Sequence, residues 1–226
     1  MALKSKLIRH SFIGLSGMAA ILFIPAGSMR FWQGWAYLAV MLILGLGSGI
    51  YLYKRDPQLL ERRLLTREKV GAQKIIRMFM VLVLFSTLLL CGLDYRFGWS
   101  RRFLRPVPVW LTVVSLAVAF VAYLFSLWVI NVNRFAASVI QVETGQPVIS
   151  TGVYRMVRHP YYAGSMVMWL FIPLALGSYV ALPVGALLIP VFIFRLLNEE
   201  KILRVELPGY SEYCRGTRYR LIPYVW

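Results

Sequence analysis

Six long apolar blocks restrict what this chain can fold into more than any other feature of its sequence. They run approximately over Ser11–Ser28, Phe31–Tyr53, Met78–Leu93, Val107–Ile130, Tyr161–Gly177 and Ala181–Leu197. A helix crosses bilayer hydrocarbon in about 20 apolar residues, and several blocks reach or exceed that length. A soluble amphipathic fold would scatter these residues at helical spacing, and a transmembrane β-barrel would alternate them with polar ones. Neither pattern is present. Hydrophobic residues make up 59% of the 226 positions and charged residues 15%, too little polar surface to cover a soluble core. The expected fold class is an all-α integral membrane protein of about six transmembrane helices.

The first block follows Lys4, Lys6 and Arg9 and so looks like a signal peptide. No small-x-small cleavage site precedes a soluble domain, however, and a second apolar block follows within a few residues. It is read as the first span. The formal charge of +16, from 25 Lys and Arg against nine acids, raises the question of nucleic acid. In a membrane protein, cationic loops retained at an anionic cytoplasmic leaflet account for it, and no nucleic-acid partner is expected. Six spans would put 20 of the cations on one side and five on the other, so both termini are expected in the cytoplasm. Cys91 and Cys214 have neither metal-ligand spacing nor a disulfide framework. Cys91, inside an apolar block, reads as a small buried hydrophobe, and no metal is expected.

The chain divides into an N-terminal region of four spans, residues 1–130, and a catalytic region, residues 131–226. Two connecting pieces are too patterned to be plain loops. Residues 54–77 set Leu59, Leu60, Leu64 and Leu65 among Arg62, Arg63, Arg67 and Lys69, the composition of an amphipathic helix in the headgroup layer. Residues 131–160 hold Val139-Ile-Gln-Val-Glu143 and Val148-Ile149 around the turn-forming Thr144-Gly-Gln-Pro147, which predicts a short β-hairpin or an extended cap. The uncharged stretch from Gly177 to Pro183 predicts a tight helical hairpin. Gly45 and Gly49, four apart on a spanning helix, read as a close helix–helix contact.

Two clusters carry chemistry. The first is Gly152-Val-Tyr-Arg-Met-Val-Arg-His-Pro-Tyr-Tyr-Ala-Gly164. His159-Pro160 opens an apolar segment, and proline is at home in the first turn of a helix. The unpaired N–H groups of that turn, with Arg155 and Arg158 nearby, suit a carboxylate or phosphate at the membrane surface. The second cluster is Arg195-Leu-Leu-Asn-Glu199-Glu200. Arg195 and Glu199 share a helix face, while Glu200 is turned about 100° from Glu199. Ionisable groups at a bilayer edge mark a functional site by default, against an interfacial ion-pair network anchoring the helix end. A short hairpin brings both clusters to one side.

In that order, Gly-x-Tyr-x-x-x-Arg-His-Pro-x-Tyr-x-Gly, then Arg-x-x-x-Glu-Glu-x-x-Leu, then Gly209-Tyr210-x-x-Tyr213, the residues resemble the isoprenylcysteine carboxyl methyltransferases. Their superfamily includes phospholipid N-methyltransferases. The resemblance covers roughly Asn131 to Trp226; the first four spans match only in being hydrophobic. It implies an S-adenosylmethionine-dependent methyltransferase, most naturally an O-methyltransferase, with a lipophilic acceptor and membrane lipid as its partners. The implied cofactor-binding positions are Gln141, Gln146, Pro147, Val148, Ile149, Tyr154, His159, Pro160, Tyr161, Tyr162 and Glu199. Arg195 stands where the family meets the acceptor's carboxylate, and His159 is the second implied catalytic residue. The loop from Gln141 to Gln146 is shorter than in the eukaryotic prenyl-protein enzymes, and Gln146 stands where they have His, which leaves the acceptor open between carboxylate, thiol and amine. A carboxylate or thiolate acceptor needs no general base, whereas an amine would require one such as His159. Two other readings remain at this stage. Sterol reductases, which use NADPH, carry a related pattern, although Tyr161 and Ser165 replace their usual Asn and acid. A non-enzymatic transporter or scaffold is the other, against which the ionisable residues cluster at one face.

Overall fold

The computed structural model describes residues 2–65, 71–140 and 142–226. Its helices are α1 (Ala2–Ala26), α2 (Trp32–Arg55), α3 (Pro57–Arg63), α4 (Gly71–Phe97), α5 (Trp99–Phe103), α6 (Val109–Val132), α7 (Pro160–Ala175), α8 (Leu182–Ala186), α9 (Leu188–Glu206) and α10 (Tyr210–Gly216). No strand occurs among the described residues. Among the described residues, five helical stretches are long and apolar enough to cross a membrane: Leu3–Ala26, Trp32–Arg55, Gly71–Phe97, Val109–Val132 and the α8–α9 run Leu182–Glu206. The protein is an all-α, multi-pass membrane protein.

The count of six spans is approximate. The fifth apolar block forms α7, whose 16 residues give about 24 Å of helix, short of the ~30 Å hydrocarbon layer. Prolines explain its length: Pro160 sets its first turn and Pro173 lies just before its end. The expected tight hairpin follows, with Gly177 at φ +76° turning the chain from α7 into α8. Helices α6 and α7 pack at close range, and Gly164 permits it, because a Cβ there would sit 2.6 Å from the Ser126 hydroxyl and 2.9 Å from the Phe125 ring.

Three local expectations change. Among the described residues, the amphipathic helix between α2 and α4 is seen as α3, where Asp56 caps the Leu59 N–H at 3.1 Å and Pro57 occupies the first turn; Arg67 and Lys69 lie outside the described residues. Of the two forms expected over 131–160, the described residues take the extended cap and show no β-hairpin. Its backbone is satisfied from other elements: the Ser138 N–H donates to the Arg62 carbonyl, and Arg195 donates to the Ser138 carbonyl. Only the turn survives, the Gln146 N–H donating to the Glu143 carbonyl around Gly145 at φ +75°. The Gly45–Gly49 contact is half as expected. Gly49 is buried against Leu7 of α1, while a Cβ on Gly45 would meet nothing within 4 Å. Cys91 is fully buried in the core between α1, α2, α4 and α7, as read.

Candidate active site

The C-terminal tail folds back onto the start of α7 and fixes the motif loop. Arg158 and His159 donate backbone N–H bonds to the carbonyls of Tyr219 and Arg220 at 2.9 and 2.8 Å. The Arg158 guanidinium donates to the Thr217 and Arg218 carbonyls. Upstream, a 3₁₀ turn at Gly152–Arg155 carries Tyr154 inward, and Tyr213 of α10 donates to the Tyr154 carbonyl at 2.6 Å. Burial pushes the Tyr154 phenol up to about 12, so its ring is a neutral wall at any physiological pH.

From α9, the two adjacent glutamates diverge as a 100° helical step requires. Glu200 turns into the protein, 3% exposed. Its carboxylate lies 2.7 Å from Arg158 Nε, 3.2 Å from His159 Nε2 and 3.2 Å from Arg220 Nε. Glu199, half-buried, faces a cavity instead. It accepts a 2.6 Å bond from the Tyr162 hydroxyl, and that hydroxyl accepts from Arg195 Nε at 3.1 Å. Arg195, Tyr162 and Glu199 are therefore one connected chain, with Gln73 of α4 donating to the Arg195 carbonyl behind it. On the other wall, Arg63 of α3 donates to the Tyr161 hydroxyl at 2.7 Å and lies over the Tyr161 ring.

These elements enclose a cavity of about 390 Å³, within the usual range for small-molecule sites. Of the twelve residues singled out in the sequence, ten line it: Gln146, Pro147, Val148, Ile149, Tyr154, His159, Tyr161, Tyr162, Arg195 and Glu199. Pro160 does not; it is buried and shapes the first turn of α7. Gln141 lies outside the described residues. Sequence reasoning underrated Glu200, whose buried ion cluster holds the motif loop, and it missed Arg220. It also placed Arg63 and Arg77 in the amphipathic headgroup piece 54–77, whereas both line the cavity. The leucine-rich setting of Arg63 signalled a helix, but not which way the helix would turn its cations.

With this geometry in hand, one similarity to known proteins falls on the same part of the chain. Residues 109–206 match the model of the phospholipid methyltransferase family. The match spans α6 to α9 and so includes His159, Tyr162, Arg195 and Glu199. The chain is also 33% identical over 93 residues to the Delta(14)-sterol reductase TM7SF2 of Mus musculus. That stretch is 38% of this chain and 22% of the reductase, so the chain spans about a fifth of that relative's length. Among solved structures, the chain is similar to the eukaryotic intramembrane Ras methyltransferase ICMT, with 17% identity and a TM-score of 0.48 over 96% of this chain and 86% of that one. The family model thus covers residues 131–206 of the stretch in which the motif resemblance was read and stops before Gly209-Tyr210-x-x-Tyr213.

Proposed function

We propose that the protein is an S-adenosylmethionine-dependent methyltransferase acting on a lipophilic acceptor at the cytoplasmic membrane face. The observation that carries this reading is the convergence of ten motif residues, distant in sequence, on one cavity at the end of the bundle. The residues present fit the cofactor. Glu199, half-buried in the wall, is suited to accept from the two ribose hydroxyls. The first turn of α7 suits the methionine carboxylate. The Tyr154 ring offers a flat face for adenine, and the 146–149 segment closes the cap above it. When bound there, the cofactor supplies an electrophilic methyl group carried on a sulfonium.

The remaining work belongs to this chain. Arg195, oriented by Tyr162 and the Ser138 carbonyl, is suited to orient the acceptor's reacting atom. His159 is held by Glu200, so its first task is to position the wall; with an amine acceptor it is also the nearest candidate base. Much of the rate advantage would come from alignment in a water-poor site. The excess of Lys and Arg at this end of the bundle supports a cytoplasmic orientation for it. Incubating the purified protein with methyl-labelled cofactor and membrane extract should label a lipid-soluble product; absence of any labelled product would remove the reading. The likeness to a sterol reductase keeps one alternative in view, an NADPH-dependent membrane reductase, which predicts nicotinamide binding and no methyl transfer.

A further inference from the structure

Among the described residues, four arginines line the cavity, against one acid, Glu199. Three of them have visible work. Arg63 holds Tyr161, Arg158 is paired with Glu200, and Arg195 bonds to Tyr162 and the Ser138 carbonyl. Arg77 differs: its Nη1 atom is buried and has no hydrogen-bond partner among the described residues. A guanidinium stays charged in proteins, and a buried donor without an acceptor is costly, so an acceptor from outside the chain is called for.

The surroundings of Arg77 say what that group is attached to. Arg77, Met80, Val81 and Leu84 recur at the spacing of one α4 face, and all four line the cavity. Facing them deeper in are Trp169 of α7 and Phe192 of α9. Along this face the lining changes from cationic at Arg77, near the start of α4, to apolar at Met80, Val81 and Leu84 farther along the same apolar helix. Val81 both lines the cavity and is 58% exposed, so the apolar part opens sideways toward lipid. A cation above an apolar slot is complementary to an anionic head on a hydrocarbon chain.

We infer that Arg77 holds the anionic group, carboxylate or phosphate, of an amphiphilic acceptor whose chain lies along Met80, Val81 and Leu84. This rests on the methyltransferase reading and narrows it, because it makes the acceptor an anionic lipid. The residue comes from α4, outside the family-matched stretch 109–206. Thus the part of the chain before the matched stretch supplies a specificity determinant, while the matched part supplies the cofactor site. An anion at Arg77 has two possible sources, the acceptor and the cofactor's own carboxylate, and the test separates them.

The protein, Arg77→Met and Arg77→Lys are reconstituted in phosphatidylcholine vesicles. Three readouts follow: melting temperature, affinity for S-adenosylhomocysteine, and inhibition of labelled methyl transfer by dodecyl phosphate, dodecanoic acid and dodecanol. The native protein should favour the two anionic probes over dodecanol by about tenfold or more, the effect of one charge-assisted hydrogen bond. Arg77→Met should bring the three probes within about twofold, Arg77→Lys should keep part of the preference, and both should bind S-adenosylhomocysteine within a fewfold of native. An unchanged preference for anions in Arg77→Met would overturn the inference. So would loss of S-adenosylhomocysteine affinity at native stability, since that assigns Arg77 to the cofactor. Absence of any methyl transfer by the native protein would instead defeat the underlying reading, and the two failures are thereby distinct.

Discussion

Each end of the helix bundle buries a carboxylate, and the two are satisfied in opposite ways. At the end away from the cavity, Asp94 of α4 is 3% exposed and meets only neutral donors. It accepts from the Ser100 N–H at 2.7 Å, from the Ser100 hydroxyl and from the Ser178 hydroxyl at 2.5 Å. Those hydroxyls in turn accept from the backbone N–H groups of Tyr179, Val180 and Ala181. The cluster ties the α4–α5 junction to the α7–α8 hairpin, and its bonds run back into the chain. At the cavity end, Glu200 is surrounded by Arg158, His159 and Arg220, and its neighbour Glu199 is left on a cavity wall. Burying a carboxylate is thus not itself a sign of function. A charge cluster that organises a loop around open space is a different object from one closed on its own backbone.

The largest expected effect breaks that comparison at Glu200. Glu200→Gln leaves Arg158 buried without its counter-charge, a loss of about 3–5 kcal/mol of stability by the usual cost of splitting a buried pair. Thermal melting in detergent should show it, with cofactor affinity falling only because the motif loop loosens. A melting temperature within error of native would mean that the tail, and not Glu200, holds the loop.

Next in size, Glu199→Gln should cost about 1.5–3 kcal/mol in S-adenosylhomocysteine binding, on the order of tenfold to a hundredfold, with little loss of stability. Arg195→Ala should depress turnover far more than cofactor affinity. Tyr162 joins the two residues, so a modest shared loss is expected as well. Equal losses of binding and stability in both variants would reduce them to one structural unit. Asp94→Ala sharpens the contrast from the other end. It should lower stability by about 1–3 kcal/mol, the cost of leaving buried donors unmet, and leave cofactor affinity unchanged. A parallel loss of binding would show that the two ends are coupled through α4.

How much of this was legible in the sequence follows from the same physics. Hydrophobic blocks announce spanning helices, and Pro160 announces the start of α7, because both act locally. The motif residues were legible as a set, since a loop and two helix ends joined by a short hairpin must meet. What the sequence did not disclose was long-range pairing. Nothing local to Arg220 shows that the tail returns to Glu200, and Arg77 looks like a loop cation until α4 is seen to begin at Gly71. The β-leaning run 139–149 was ambiguous for the same reason: the backbone of Ser138, just before it, is met by α3 and α9, while Glu143 and Gln146 bond to each other in a local turn.

The smallest expected effect concerns the clasp that holds α3 to the cap. Arg62 makes a two-pronged contact with Glu143 at 2.6 and 2.7 Å. The hydrogen bond from Arg62, outweighing partial burial, holds the Glu143 carboxyl below its ordinary value of 4.5. A carboxyl depressed in the folded state adds stability above its unfolded value and loses it as pH falls through the folded one. The pair is partly exposed, so its contribution is about 0.2–1 kcal/mol. Melting curves of native protein and Glu143→Gln should therefore differ slightly at neutral pH and converge on acidification below the ordinary carboxylate value. A difference that grew with acid would contradict the assignment.

The central claim is that the cavity end is a methyl-donor site built around Glu199, and direct titration tests it most simply. Purified native protein, Glu199→Gln and Asp94→Ala are each titrated calorimetrically with S-adenosylhomocysteine and with NADPH. The account predicts saturable binding of S-adenosylhomocysteine to the native protein and to Asp94→Ala, binding weakened at least about tenfold in Glu199→Gln, and no binding of NADPH. Saturable NADPH binding with none of S-adenosylhomocysteine would contradict it and put the reductase in its place.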